Sequence, residues 1–407
     1  MFGNAKAFIF LVLLVGCTLF CTAQTIKGLP KRQKRIQIPF QYVNNFIIVK
    51  VKINGLPMHF ILDSGASQTI ITKKTYSKHL SVNYKNKVTF YGSDLLSKLH
   101  AYPIANTDIA LNNIAFTQQM SYVLEEDYLA LETFVGMPIQ GILSMNHFDN
   151  LVLEINYKKK LITISEPNKI DYKAYSTIAF TMEGNLPYIN SLVTLQNKDS
   201  IFTKILIDTG ANLSLMLHNE THPKLALPTN FIEGKFADGL GGQVNGFIGR
   251  LNQFTFGNEI HKDIICHFQA LPKVKNHSVF KNRNGLVGNK LLSLYDVVFD
   301  FYYNEMKLLR KRKCKGNKFD KSGLAYYATG EKLNSFIIEN VIENSAAAMA
   351  GIEKGDEILK VNKASGNYLN LNIINAKLQK KAGTKIKMTI RRNGKKLRKQ
   401  FRLKDLI

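Results

Sequence analysis

Two aspartates stand in nearly the same run of residues, 145 positions apart (208 minus 63). Asp63 ends the apolar run Phe60-Ile61-Leu62 and is followed by Ser64-Gly65-Ala66-Ser67. Asp208 ends Ile205-Leu206-Ile207 and is followed by Thr209-Gly210-Ala211-Asn212. One Asp-Ser/Thr-Gly tripeptide alone marks only a turn. Two of them, each capping a buried-strand pattern, have a specific use if the fold brings them together. Carboxyl groups held side by side cannot comfortably both ionise, so they share a proton. The ionised partner then takes a proton from a water held between them, and the protonated partner hydrogen-bonds or protonates a polarised carbonyl. This chemistry needs no metal, cofactor or nucleophilic side chain. Gly65 and Gly210 allow a tight turn with backbone N–H groups aimed at the carboxylates. The hydroxyls of Ser64 and Thr209 can bond across an interface, and Ala66 and Ala211 leave room for close approach.

The elements that must position these turns are duplicated. Before Asp63, Val49, Val51 and Ile53 alternate with Lys50 and Lys52, and Asn54-Gly55 supplies a hairpin turn. Before Asp208, Ser191 to Leu195 plays the same part, with Asn197-Lys198-Asp199 at the turn. The correspondence continues downstream. Phe90-Tyr91-Gly92-Ser93 faces Phe236-Ala237-Asp238-Gly239, and Asp108 to Ile114 faces Phe254 to Ile260. Gly141-Ile142-Leu143-Ser144 faces Gly285-Leu286-Val287-Gly288, and each is followed by an apolar strand, Leu151 to Ile155 and Val297 to Phe301. Neither half has a long helical period, so both are expected to be mainly strand and turn.

A chain of 407 residues exceeds one ordinary core. Its 45% hydrophobic and 21% charged content is that of a globular protein. Lys6, the short apolar segment 7–15 and the small residues before Gln24 read as a signal peptide cleaved after Ala23. Leu14-Val15-Gly16-Cys17 leaves a lipid-anchored Cys17 as the alternative. Either way the protein is expected to be exported: periplasmic, at the cell surface or secreted. Cleavage after Ala23 leaves Cys266 and Cys314 of the four cysteines, too few for a disulfide framework. The nine histidines are scattered without metal-ligand spacing. Most of the net charge of +25 lies beyond Tyr303, in a linker and the last domain, which include the basic runs 310–315 and 395–399. No aromatic-rich motif accompanies it, so the charge reads as solvated surface and no nucleic acid is expected. Weak association with an anionic envelope surface is the remaining use for it.

On the paired Asp turns and the matched segments around them, residues 36–309 resemble the pepsin–retropepsin superfamily of aspartic peptidases, in particular secreted bacterial members that carry a PDZ domain. The resemblance implies two acid-protease-like β-barrel lobes, polypeptide substrates and no cofactor. Asp63 and Asp208 would be the catalytic pair, with Ser64, Gly65, Thr209 and Gly210 supporting them. Gly141–Ser144 and Gly285–Gly288 resemble the family's segment behind each Asp loop. Tyr91-Gly92 resembles a flap tip, with Gly239 and Gly241 in a glycine-rich counterpart that suits two flaps. Ser144 stands where the family usually has glycine, so the first lobe is expected to pack differently behind Asp63. Ala66 and Ala211 lack a hydroxyl that bonds a catalytic Asp in some members. One fewer bond to the ionised form raises its pKa, so an optimum less acidic than pepsin's is expected.

From Ser322 the character changes. A strand, Ser335 to Val341, precedes Ser345 to Gly351, which reads as a short helix capped by Ser345 and ended by Gly351. Gly355-Asp356-Glu357-Ile358-Leu359-Lys360-Val361-Asn362 leads into another strand. A helix near 371–381 and strands near 386–390 and 397–403 follow. This order resembles a PDZ domain, β-rich with two short helices. The resemblance makes Gly323, Leu324, Ala325 and Tyr326 a loop that holds the carboxylate of peptide C-termini.

The expected organisation is therefore a signal peptide (1–23), a basic extension (24–36), a first lobe (37–170), a second lobe (171–309), a basic linker (310–321) and a terminal domain (322–407). The favoured function is endopeptidase action. A catalytically silent peptide-binding protein with the same cleft is the alternative.

Overall fold

The computed structural model describes residues 35–407 except 93–96, 168–171, 240–241, 270–282 and 312–318. The signal segment, Cys17, Gly241 and Cys314 lie outside the described residues. Of the segment 24–36 read as an extension, Arg35 and Ile36 are described. They open the first strand, because Ile36, Ile38 and Phe40 alternate inward.

The first half runs β1 (Arg35–Val43), β2 (Phe46–Ile53), β3 (Leu56–Asp63), β4 (Thr69–Ile71), β5 (Val88–Tyr91), β6 (Lys98–Leu111) and β7 (Ile114–Leu124). A short helix, α1 (Leu131–Val135), precedes β8 (Gly141–Ser144), β9 (Val152–Asn156) and β10 (Leu161–Ser165). The second half repeats this with β11 (Ser176–Ala179), β12 (Thr181–Glu183), β13 (Leu186–Thr194), β14 (Ser200–Asp208), β15 (Leu215–His218), β16 (Phe231–Gly239), β17 (Gly242–Phe256) and β18 (Glu259–Gln269). It ends with β19 (Gly285–Gly288), α2 (Asn289–Leu292), β20 (Tyr295–Asp300) and β21 (Glu305–Arg310).

Each half closes into a barrel with matching connections. In the first, the path β2-β3-β8-β4-β7-β6 is closed by the β2–β6 pairing. In the second, β13-β14-β19-β15-β18-β17 is closed by β13–β17. In both, the Asp-bearing strand runs parallel to the glycine-led strand, β3 beside β8 and β14 beside β19. Closure removes sheet edges that would otherwise be open for pairing. Beneath the barrels lies one sheet built by both halves, in the order β11-β21-β20-β9-β10-β1. Val298 pairs Glu154 where the halves meet. The largest apolar core runs through both barrels and this shared sheet.

The C-terminal domain contains β22 (Leu324–Thr329), β23 (Ser335–Val341), α3 (Ala346–Met349), β24 (Glu357–Val361), β25 (Ala364–Ser365), α4 (Leu371–Leu378), β26 (Lys385–Arg392) and β27 (Lys395–Arg402). It has its own core, centred on Phe336, Ile338, Ile374 and Ile390. The Ser345 hydroxyl caps α3 by accepting from the Ala348 N–H at 3.2 Å. Helix α4 stops short of the expected 381. Its last carbonyl, on Leu378, accepts from the Lys321 N–H at 3.1 Å, and the chain turns at Gly383 with φ of 83°. The fold is mainly β throughout, with two six-stranded barrels and a β-rich terminal domain.

Candidate active site

Strands β3 and β14 each end on an aspartate. The parallel neighbours set Asp63 level with Ser144 and Asp208 level with Gly288. The two turns are locked together by four reciprocal hydrogen bonds. Ser64 Oγ donates to the Ile207 carbonyl at 2.7 Å, and Thr209 Oγ1 donates to the Leu62 carbonyl at 2.9 Å. The N–H of Ser64 donates to Thr209 Oγ1, and that of Thr209 to Ser64 Oγ, each at 3.0 Å. All four groups are buried, so losing one partner would leave another unsatisfied, at about 1–3 kcal/mol.

This lock presses each glycine against the opposite aspartate. A Cβ on Gly65 would lie 2.5 Å from Asp208 Cγ, and one on Gly210 would lie 2.3 Å from Asp63 Cγ. No residue with a side chain fits either place. The Gly65 N–H donates to Asp63 Oδ1 at 2.7 Å and the Gly210 N–H to Asp208 Oδ1 at 2.9 Å.

The two carboxyl groups are hydrogen-bonded to each other and are not equivalent. Burial pushes Asp63 well above the ordinary carboxyl value, the charge of Asp208 pushes it further, and the N–H groups of Gly65 and Gly210 oppose both. Burial also raises Asp208. The guanidinium of Arg283, the hydrogen bond from Asp63 and the N–H groups of Gly210 and Ala211 hold it back. Burial thus raises both carboxyls, which titrate as one coupled pair able to share a proton, with the Arg283 charge acting on Asp208.

Behind Asp63, the Ser144 hydroxyl donates to the Ala66 carbonyl at 2.6 Å and accepts from the Asn146 N–H at 3.2 Å. The Ser144 N–H donates to Thr69 Oγ1, which lies 2.6 Å from His147 Nε2, and His147 Nδ1 lies 2.9 Å from Gln119 Oε1. Burial lowers His147 to about 4, so the ring is neutral. Of this polar network the Ser144 hydroxyl makes the bonds to Ala66 and Asn146. Behind Asp208, a Cβ on Gly288 would lie 2.3 Å from the Leu213 carbonyl oxygen, so the glycine is obligatory. There Asn289 takes over: its N–H donates to the Ala211 carbonyl at 2.8 Å, and its side chain bonds the Asn45 carbonyl and Tyr157.

Tyr91 ends β5, 56% exposed, and the Gly92 N–H donates to the Ser97 carbonyl at 2.8 Å, closing the β5–β6 hairpin. Gly239 pairs Gly242 at the tip of the β16–β17 hairpin, the equivalent element of the second half. Gly241 lies outside the described residues. In the terminal domain, the Gly323 N–H donates to Asp320 Oδ1 at 3.0 Å and the Leu324 N–H to Ser322 Oγ at 3.2 Å, so these two donors are engaged within the chain. Leu324, Ala325 and Tyr326 belong to β22. Gly323, Leu324 and Ala325 line a small pocket whose far wall is Ile232 and Ile248, at the base of the β16–β17 hairpin.

Sequence reading missed Arg283 and Asn289. Asn289 carried a weak signal, since it directly follows Gly285–Gly288. Arg283 carried none, because its relation to Asp208 exists only after the barrel closes. Among the described residues no cluster of His, Cys, Asp or Glu side chains could hold a metal.

Residues 49–147 match the family described as aspartyl protease, and residues 308–403 match the PDZ domain. No curated protein matches the chain. Among solved structures, an aspartic proteinase from Irpex lacteus is similar at 12% identity with a TM-score of 0.44, covering 70% of this chain and 100% of its own.

Proposed function

Starting from a chain that joins an aspartyl-protease-type body to a PDZ domain, we propose that it is an aspartic endopeptidase acting on extended polypeptides. The observation that carries this reading is the pair of hydrogen-bonded carboxyls on locked, matching turns. In the proposed mechanism, Asp208 is the base that takes a proton from a water between the two carboxyls. Asp63 hydrogen-bonds the scissile carbonyl and protonates it as the water adds. Gly65 and Gly210 N–H groups fix the carboxylate orientations, and Ser64 and Thr209 hold the turns still. The β5–β6 and β16–β17 hairpins would close over the substrate, and the PDZ domain would bind peptide.

Digestion of an unfolded protein by the full chain tests this, with Asp63→Asn and Asp208→Asn as controls. Cleavage by the parent chain and none by either variant supports the reading. Equal cleavage in all three preparations would overturn it. Binding of the unfolded protein without cleavage by the parent chain would assign the silent-binder alternative instead. Export is likewise proposed, from Lys6, the apolar segment 7–15 and Ala23. N-terminal analysis of the mature protein should find Gln24, and a lipid-modified Cys17 would assign anchoring in its place.

A further inference from the structure

The turn between β1 and β2 consists of Asn44 and Asn45, with φ of 49° and 65°. Two successive left-handed residues are what a two-residue hairpin turn needs, and asparagine is the side chain that tolerates this best after glycine. Yet the two side chains do more than turn the chain, and they point to different domains.

Asn45 faces the Asp208 turn of the second half. Its Nδ2 donates to the Asn212 carbonyl at 3.2 Å, and its own carbonyl accepts from Asn289 Nδ2 at 2.8 Å. Asn289 is fully buried and its N–H holds the Ala211 carbonyl. Asn45 and Asn289 therefore grip residues 211 and 212, the segment that leaves the Asp208 turn.

Asn44 faces the PDZ domain. Its N–H donates to Asn372 Oδ1 at 3.0 Å, and its Oδ1 accepts from Asn375 Nδ2. Asn372 and Asn375 are three apart, on one face of α4. Asn375 Oδ1 in turn accepts from the Tyr326 hydroxyl on β22. The remaining donor of Asn44, Nδ2, bonds the Phe134 carbonyl of α1 at 2.6 Å. Helix α1 packs on β22, and a Cβ on Gly136 would lie 3.1 Å from Leu371 Cδ1 at the start of α4. Strand β22 is the edge of its sheet, so the first half of the chain covers the side of the PDZ domain where an added strand would pair.

We infer that the Asn44–Asn45 turn is a positioning element for the Asp208 loop, held in place by the docked PDZ domain, so that docking sustains the geometry of the dyad. The inference rests on the endopeptidase reading for its effect on rate, but not for its effect on the loop. No covalent bond is involved; the link is a chain of five hydrogen bonds from α4 through two adjacent residues to the segment after Asp208.

The test uses the full chain with Asn372→Ala and Asn375→Ala combined, and separately with Asn44→Gly. Glycine keeps the left-handed backbone and removes only the side-chain bonds. Without the two hydrogen bonds from α4, kcat should fall about fivefold to thirtyfold, with KM within about twofold, and Asn44→Asp should recover part of it by restoring the acceptor for Asn375. Asp208 should become better solvated, so the acidic limb of the pH–rate profile should move to lower pH. Amide hydrogen exchange at residues 211–213 should quicken in both variants. Unchanged kcat and unchanged exchange at 211–213, with exchange altered only within α4 and β22, would overturn the inference. If the parent chain cleaves nothing, the endopeptidase reading fails, while the exchange at 211–213 still decides whether the relay exists.

Discussion

Behind Asp63 the segment Gly141–Ser144 closes with a hydroxyl, and behind Asp208 the matching Gly285–Gly288 closes with bare backbone. The Ser144 hydroxyl bonds the Ala66 carbonyl and the Asn146 N–H, and its backbone N–H bonds Thr69, which leads on to His147 and Gln119. Gly288 instead lets the Leu213 carbonyl approach to a distance no Cβ would permit, and Asn289, Asn45 and Arg283 supply the polar contacts and charge from outside the turn. Duplication thus reproduces the strand order and the interlocking turns faithfully, because barrel closure depends on them. It leaves the supports behind each turn free to diverge. The two carboxyls consequently sit in different surroundings, with the Arg283 charge acting on Asp208.

The comparison can be broken first at the carboxyls themselves. Asp63→Asn and Asp208→Asn should each lower kcat/KM by about 10²- to 10⁴-fold in peptide digestion, since each removes one of the two proton-transfer roles. A variant of one that stays active would mean that the halves do not share the work. Next come the supports. Gly288→Ala should lower stability by about 1–3 kcal/mol, because the new methyl meets backbone that cannot swing away. Ser144→Gly should cost about 1–2 kcal/mol by stripping the Ala66 carbonyl and the Asn146 N–H of their partner. Thermal melts of the two variants, compared with the reverse swap Gly288→Ser, show whether the positions are interchangeable; the structure says they are not.

How much of this was open to sequence reading follows from the same contrast. The apolar runs before Asp63 and Asp208, the alternation of Val49, Val51 and Ile53, and the Gly-led segments are local patterns, and each became the expected strand. The Ser64–Thr209 lock was legible because both members belong to the repeated word. Arg283, Asn289 and the Asn44–Asn45 turn were not, because their partners lie in other elements: Asn289 meets Asn45 across 244 positions, and Asn375 meets Asn44 across 331. Nothing in the neighbourhood of either residue records such a partner. The end of α4 was misplaced for a similar reason, since the Lys321 N–H that caps it comes from outside the helix.

Smaller effects sharpen the electrostatic side of the comparison. Arg283→Met removes the positive charge that holds Asp208 down. Asp208 should then rise, and the acidic limb of the pH–rate profile should shift to higher pH, while Asp63→Asn offers no such limb to shift. Stability should also report the histidines. Burial lowers His147 and His261 to about 4, and His218 and His267 to about 3. Each is neutral when folded and near 6.5 when unfolded, so the unfolded chain binds more protons between these values. The stability they preserve is complete above about pH 6.5 and declines as pH falls towards 4 and 3. Chemical unfolding measured at pH 7 and pH 4.5 should show the loss, and His147→Gln should lessen it slightly if the ring's neutrality is what matters.

The sheet beneath the barrels carries a consequence of another kind. Its six strands are contributed by both halves, and β9 and β20 meet in its middle, Val298 beside Glu154. A chain cut between Ser165 and Ser176 would yield two pieces, each with one member of the Asp63–Asp208 pair, half of the interlocking hydroxyls and one raw edge shaped for the other. Such fragments should seek each other and pair as heterodimers when mixed, restoring the dyad without a covalent join. The protein therefore keeps within one polypeptide the architecture of a two-subunit assembly, and split-fragment complementation is a direct way to bring it back out.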